Sequence, residues 1–203
     1  MRYDAEHKRK TRERVLHEAG KAIRREGPHQ IGVAGVMAQA GLTHGGFYAH
    51  FKSKDDMVVA AIAQMFAEGL ERLAEDVRAH PPAEALSRYF DFYLSQRHRD
   101  TRIAGCPLPF LAADAPRLPP AAREAFAAGV EALRTALAEP IARLGRPDPE
   151  GEAASVLSEL AGALALARAE AGLERSDAFL RRSRLALQHR LGLDPALIGR
   201  LDA

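Results

Sequence analysis

The sequence predicts an all-α protein, with a short N-terminal head of three helices followed by a longer helical body. Three observations predict it. Apolar residues recur at three- and four-residue spacing along most of the chain. Alternating apolar and polar runs and Asn-Gly hairpin turns are missing. Breakers at Gly27-Pro28, Gly41, His80-Pro81-Pro82 and Gly145 to Pro149 cut the chain into pieces of helical length. At 203 residues the chain can bury a sizeable core in one or two domains.

The first helix is expected from about Glu6 to Glu26, with Val15, Leu16, Ala19, Ala22 and Ile23 as its apolar stripe. Lys8, Arg9, Lys10, Arg12 and Arg14 crowd its start. Cations there oppose the helix dipole, a cost that a partner phosphate would relieve. Val33, Val36 and Met37 give a short second helix to Ala40. Gly41 follows it, where a left-handed backbone is usual and glycine carries no Cβ penalty. Leu42 can drop into the core, and Thr43 can cap a third helix from His44 to Phe51. That helix is poor by propensity, since Gly45 and Gly46 each cost roughly 1 kcal/mol relative to alanine. Adjacent glycines fit a backbone that must approach something bulky, such as a major-groove wall. Phe47 and Phe51, four apart, would anchor the helix.

Ser53 is the expected cap of a long helix to Ala79, with Asp55 and Asp56 in its first turn. A helix from about Ala83 to His98 follows, carrying Leu86, Tyr89, Phe90, Tyr93 and Leu94. Arg99 to Gly105 reads as a loop and Pro107 to Ala113 as a short helix, ended by Pro116, Pro119 and Pro120. Helices from about Ala121 to Leu144, Glu150 to Ala171 and Ser176 to Leu191 complete the body. Long apolar stretches are all interrupted by charge, and the N-terminus lacks a signal-peptide pattern. A membrane span is therefore not expected, and a cytoplasmic location is.

The layout of helix, glycine turn, aromatic second helix and basic exit is that of a helix-turn-helix. Charge agrees with it. Residues 1–54 carry 11 Lys and Arg against 5 Asp and Glu, whereas the chain as a whole has a net charge of only +2. A basic head on an acidic body suits a phosphate-binding module. Tyr48 and His50 would lie away from the buried aromatics, able to bond phosphate oxygens.

The ordered block Gly41-Leu42-Thr43-His44-Gly45-Gly46-Phe47-Tyr48-Ala49-His50-Phe51-Lys52-Ser53-Lys54 resembles the DNA-binding signature of TetR-type transcriptional regulators. Gly105-Cys106-Pro107-Leu108, followed by Leu111-Ala112-Ala113, resembles a segment of one branch of that family. Two positions depart from the pattern. Ile31-Gly32 stand where a threonine-like cap usually touches a phosphate, and Met37 stands where many members have alanine. The resemblance implies a helix-turn-helix DNA-binding domain over residues 1–52. A helical effector-binding and dimerisation domain would occupy 53–203. It implies a ligand-responsive dimeric repressor, non-enzymatic and without cofactor, on a palindromic double-stranded operator. Thr43, Tyr48, His50 and Lys54 would take phosphates, with His44 and Gly45 at base edges and Arg9 or Lys10 adding backbone contacts. A ligand in the body would move the helix beginning near Ser53 and release DNA.

The body offers candidates for the remaining roles. Ala153, Val156, Leu157, Leu160, Ala161, Leu164 and Ala165, with Phe179, Leu180, Leu187 and Leu191, form an apolar face on the last two helices. It reads either as internal core or as a two-fold interface, and the resemblance favours a homodimer. Two copies about 34–36 Å apart would read a palindrome. Met65, Phe66, Phe90, Tyr93, Phe110 and Phe126 could line a pocket for a small, largely apolar effector, or could simply be core. The single cysteine, Cys106, excludes an intramolecular disulfide. It reads as a buried small hydrophobe or as a thiol sensing oxidants or electrophiles. The eight histidines show no metal-ligand spacing, so no metal is expected. An architectural DNA-binding protein and a Cys106-dependent enzyme are the rival readings. The modest basic surplus argues against the first. The lack of a base-and-orienter pair argues against the second.

Overall fold

The computed structural model describes residues 2–193. The described chain runs α1 (Arg2–Glu26), α2 (Val33–Gln39), a 3-10 helix (His44–Ala49), α3 (Lys54–Ala79), α4 (Pro82–Tyr93), α5 (Gln96–Asp100) and α6 (Leu108–Leu111). A second 3-10 helix (Ala115–Arg117), α7 (Pro120–Arg143), α8 (Pro149–Ala169) and α9 (Leu173–Arg190) complete it. No strand occurs among the described residues. The protein is all-α, as expected, and the chain divides into two compact units. One comprises Met1–Ala67 with Arg102–Gly129, the other Glu68–Thr101 with Val130–Ala203.

In the first unit, Val15, Leu16, Ala19 and Ile23 of α1 are buried, as are Val36 and Met37 of α2 and Met57, Ile62 and Met65 of α3. Gly41 takes φ +69°. Its N–H bonds the Ala38 carbonyl at 3.0 Å, and the Leu42 N–H bonds the Met37 carbonyl at 2.9 Å. This is a Schellman closure, with the glycine where the left-handed residue belongs. Phe66 packs edge-on against Phe126, centroids 5.6 Å apart. Gly129 lies against the same ring, and a Cβ there would come within 2.2 Å of it. Buried Arg24 donates from Nε and Nη2 to the Gly105 carbonyl at 3.1 and 2.8 Å, tying α1 to the segment ahead of α6.

The second unit centres on Tyr89, Phe90 and Tyr93 of α4, Leu137 and Ile141 of α7, Val156, Leu160 and Leu164 of α8, and Leu180 and Leu187 of α9, all buried. Asp148 caps α8 by accepting the Gly151 N–H at 2.9 Å. Glu170 closes the α8–α9 turn, accepting from the Gly172 N–H at 2.9 Å and from Arg175 at 2.8 Å. Those bonds, Arg175 first, hold its carboxyl down at about 2. Buried Arg99 pairs with Asp177 and donates to Ser176 at 2.9 Å, and Arg168 donates to the His98 carbonyl at 2.8 Å.

Several local expectations change. The single helix expected over 83–98 is two, α4 and α5. The Ser95 hydroxyl donates to the Phe92 carbonyl at 2.8 Å and accepts the His98 N–H at 3.0 Å, so it ends one helix and caps the next. The loop thus starts at Thr101 rather than Arg99. The helix expected over Pro107 to Ala113 is the single turn of α6, followed by the 3-10 turn at Ala115–Arg117. Of the two readings of the α8 face, internal core or partner surface, the first holds for most of its residues. Ala153, Val156, Leu157, Leu160 and Leu164 are buried within this unit, where α8 packs on α4, α5 and α9. The outward face of α8 carries Ser158, Gly162 and Leu166 instead, the last 53% exposed.

Candidate nucleic-acid interface

The glycine turn delivers the chain into a 3-10 rather than an α-helix at His44–Ala49. Two glycines weaken an α-helix here, and a tighter turn suffices to bury one side. Phe47 and Phe51 do the anchoring. Each is 2% exposed, and their rings stack 5.5 Å apart. Arg12 of α1 lies over the Phe51 ring at 4.9 Å, joining the basic start of α1 to this segment.

Part of the set of residues singled out from the sequence remains outward. Thr43, His44 and Gly45 are exposed, and Tyr48 is 71% exposed. Thr43 has the extended backbone of a cap, φ −78° and ψ 151°, but its hydroxyl makes no capping bond. Its carbonyl accepts the Gly46 N–H at 3.1 Å instead, the short-range bond a 3-10 start requires. Gly45 and Gly46 have no positive φ. A Cβ on Gly45 would meet nothing within 4 Å, and one on Gly46 would make only ordinary contacts at 3.8 Å. Neither conformation nor internal packing requires these two glycines.

His50 is half-buried, and its Nδ1 has no hydrogen-bond partner among the described residues. Burial, then Lys8, Arg12 and His7 of α1, push its imidazole below the ordinary value. Lys54, at the start of α3, donates to the His29 carbonyl at 3.1 Å, which ties the turn after α1 to α3 and leaves two N–H donors. Ser53 caps α3 as expected, accepting the Asp56 N–H at 3.1 Å. Gly32 caps α2 without a side chain, so the usual hydroxyl at that position has no replacement. Sequence reasoning missed the Arg24 link to Gly105, for a buried arginine inside a basic helix carries no signature of its own.

The other candidate residues are distributed differently. Met65, Phe66, Phe110 and Phe126 belong to the first unit, Phe90 and Tyr93 to the second. Phe110 is half-buried; the other five are buried. Cys106 is 6% exposed. No group of three His, Cys, Asp or Glu among the described residues is placed to hold a metal ion. No described helix is long and apolar enough to cross a membrane.

Residues 15–61 match the family model for bacterial regulatory proteins of the tetR family. Residues 82–182 match that for the C-terminal domain of LmrA/YxaF-like transcriptional regulators. The fatty acid metabolism regulator protein of Bacillus subtilis (strain 168) is 29% identical over 70 residues, which is 34% of this chain and 36% of that protein's length. The fold is similar to that of E. coli NemR in its reduced form, with TM-score 0.78 and 21% identity over 89% of this chain and 96% of that one. A TetR-family regulator from Agrobacterium tumefaciens is also similar, with TM-score 0.75 and 22% identity over 88% and 98%.

Proposed function

Because the chain belongs to the TetR family of bacterial transcriptional regulators, and so is a DNA-binding regulator rather than an enzyme, we propose that it is a dimeric repressor. In this reading a small molecule releases it from a palindromic operator. Residues 1–52 read DNA, and residues 53–203 bind the effector and dimerise. The observation that carries the reading is the outward surface of the 3-10 segment. Gly45 and Gly46 answer to no internal requirement, which leaves the approach of an external surface as their physical reason. His44 and Gly45 then face base edges, while Thr43, Tyr48, His50 and Lys54 take phosphates. Arg9 or Lys10 adds a backbone contact.

The dimer is assigned to the outward face of α8, Ser158, Gly162 and Leu166, with Phe179 of α9. The effector site is assigned to the apolar cluster of the first unit, Met65, Phe66, Phe110 and Phe126. The effector is small and largely apolar, and it must bind the released form more tightly than the DNA-bound form. Its effect travels along α3, which begins at Lys54 beside the reading segment. A regulator of this kind works in the cytoplasm.

Selection of bound sequences from a random DNA pool, at near-physiological salt, tests the reading. Recovery of a palindrome is expected. Salt-sensitive binding with no recovered motif would favour a sequence-tolerant architectural protein. Cys106 we assign to packing, which its 6% exposure supports. Iodoacetamide should modify it far more slowly in the native protein than in the unfolded chain. Rapid native alkylation with loss of operator binding would make it a sensor instead.

A further inference from the structure

α9, α5 and the two residues that lead into α5, Leu94 and Ser95, line an open groove of about 460 Å³ in the second unit. Arg97 of α5 and Arg181 and Arg184 of α9 converge on it, over a floor that includes Leu94 and Leu180. Three guanidinium groups in one groove repel one another unless carboxylates answer them. The carboxylate best placed by sequence is Asp177, one turn before Arg181. It is already engaged: Arg99 binds it from the buried side, and Gln96 donates to its Oδ2 at 2.7 Å. Arg184 reaches Asp91 only at 3.5 Å, longer than a charge-assisted bond of about 2.7–2.9 Å. Arg97 and Arg181 form no ion pair with any described residue and are exposed. By helical spacing, Arg190, which lies 3.3 Å from Glu159 of α8, sits on another side of α9, so the groove is separate from the face turned to α8.

We propose that this groove is a binding site for a small organic anion carrying two negative charges, a dicarboxylate or a phosphate monoester. The volume lies within the range of small-ligand sites, about 300–1,000 Å³. The planar forks of Arg97 and Arg181 suit paired anionic oxygens. Leu94 and Leu180 leave room for a short hydrocarbon link between the charges. Asp177 also lines the groove, but its carboxylate is engaged by Arg99 and Gln96. The site does not depend on the DNA-binding reading.

Calorimetric titration of the full chain with glutarate and with glycerol 3-phosphate tests it, with acetate as the single-charge control. Saturable binding of one dianion is expected, and which one identifies the source of the charge. R181A and R97A should weaken it about tenfold or more. R175A, whose arginine pairs with Glu170 outside the groove, should leave it unchanged. Circular dichroism checks helicity, and R181K, which retains the charge, should keep part of the affinity. The proposal is overturned if neither dianion binds by about 10 mM, if R97A and R181A bind as well as the parent, or if acetate binds equally. It is also overturned if only an acidic peptide saturates the protein, since the groove would then be a protein-docking surface.

Discussion

Phe47 is 2% exposed and its neighbour Tyr48 is 71% exposed, so consecutive residues of one short segment have opposite tasks. The ring that is buried holds the segment; the hydroxyl that is not buried is available to a phosphate. Tyr48→Phe should weaken binding to all duplex sequences alike, in fluorescence titrations against operator and random DNA. Lys54→Ala should do the same and lower the salt slope by about 1. An unchanged slope would leave Lys54 only its bond to the His29 carbonyl. His50 supplies a pH prediction. Its folded pKa is pushed below the ordinary 6.5 by burial and then by Lys8, Arg12 and His7. The unfolded chain therefore takes up a proton at higher pH than the folded one. The stabilising contribution is full above the ordinary value and is lost as pH falls through the folded pKa. Urea unfolding between about pH 7.5 and about pH 5.5 should show this loss, and His50→Gln should flatten it. An equally steep fall in the variant would assign the effect to other groups.

At the scale of the element, helix ends and helix contacts were set by single side chains. Ser95 divides what periodicity alone reads as one helix, because its hydroxyl competes for the backbone on both sides. Gly129 sits inside α7, where glycine costs helix stability, yet a Cβ there would lie 2.2 Å from the root of the Phe66 ring. That ring is 2% exposed and fixed against Phe126, so it has little room to yield. Gly129→Ala should therefore destabilise the protein by about 1–3 kcal/mol despite its better helix propensity. Thermal unfolding decides it: a raised midpoint would mean that the Phe66 ring moves aside at little cost.

For the molecule as a whole, the central expectation is assembly. Gly162 has open space above it, so a large side chain at that position does not disturb the protomer. Gly162→Trp should keep its helicity and weaken self-association about tenfold or more, read by sedimentation across a concentration series. Operator affinity should fall with it, because two reading segments at fixed spacing act together. Unchanged association would move the interface away from the outward face of α8.

The sequence by itself determined the helical class, the glycine turn at Gly41, the cap at Ser53 and the anchoring of the segment after that turn by buried Phe47 and Phe51. These rest on local chemistry: a positive φ, a hydroxyl one turn from an N–H, apolar residues one turn apart. Much of the candidate interface was legible for the same reason, since Thr43 to Lys54 is one contiguous stretch. Only the tertiary structure decided the rest. It chose which side of α8 is consumed by α4, α5 and α9, because an apolar stripe does not say what covers it. It buried Cys106, which spacing along the chain does not determine. It also paired Arg24 with the Gly105 carbonyl and turned Asp177 from Arg181 to Arg99. A charged side chain takes whichever partner packing places within reach, and spacing along one helix does not reveal that partner.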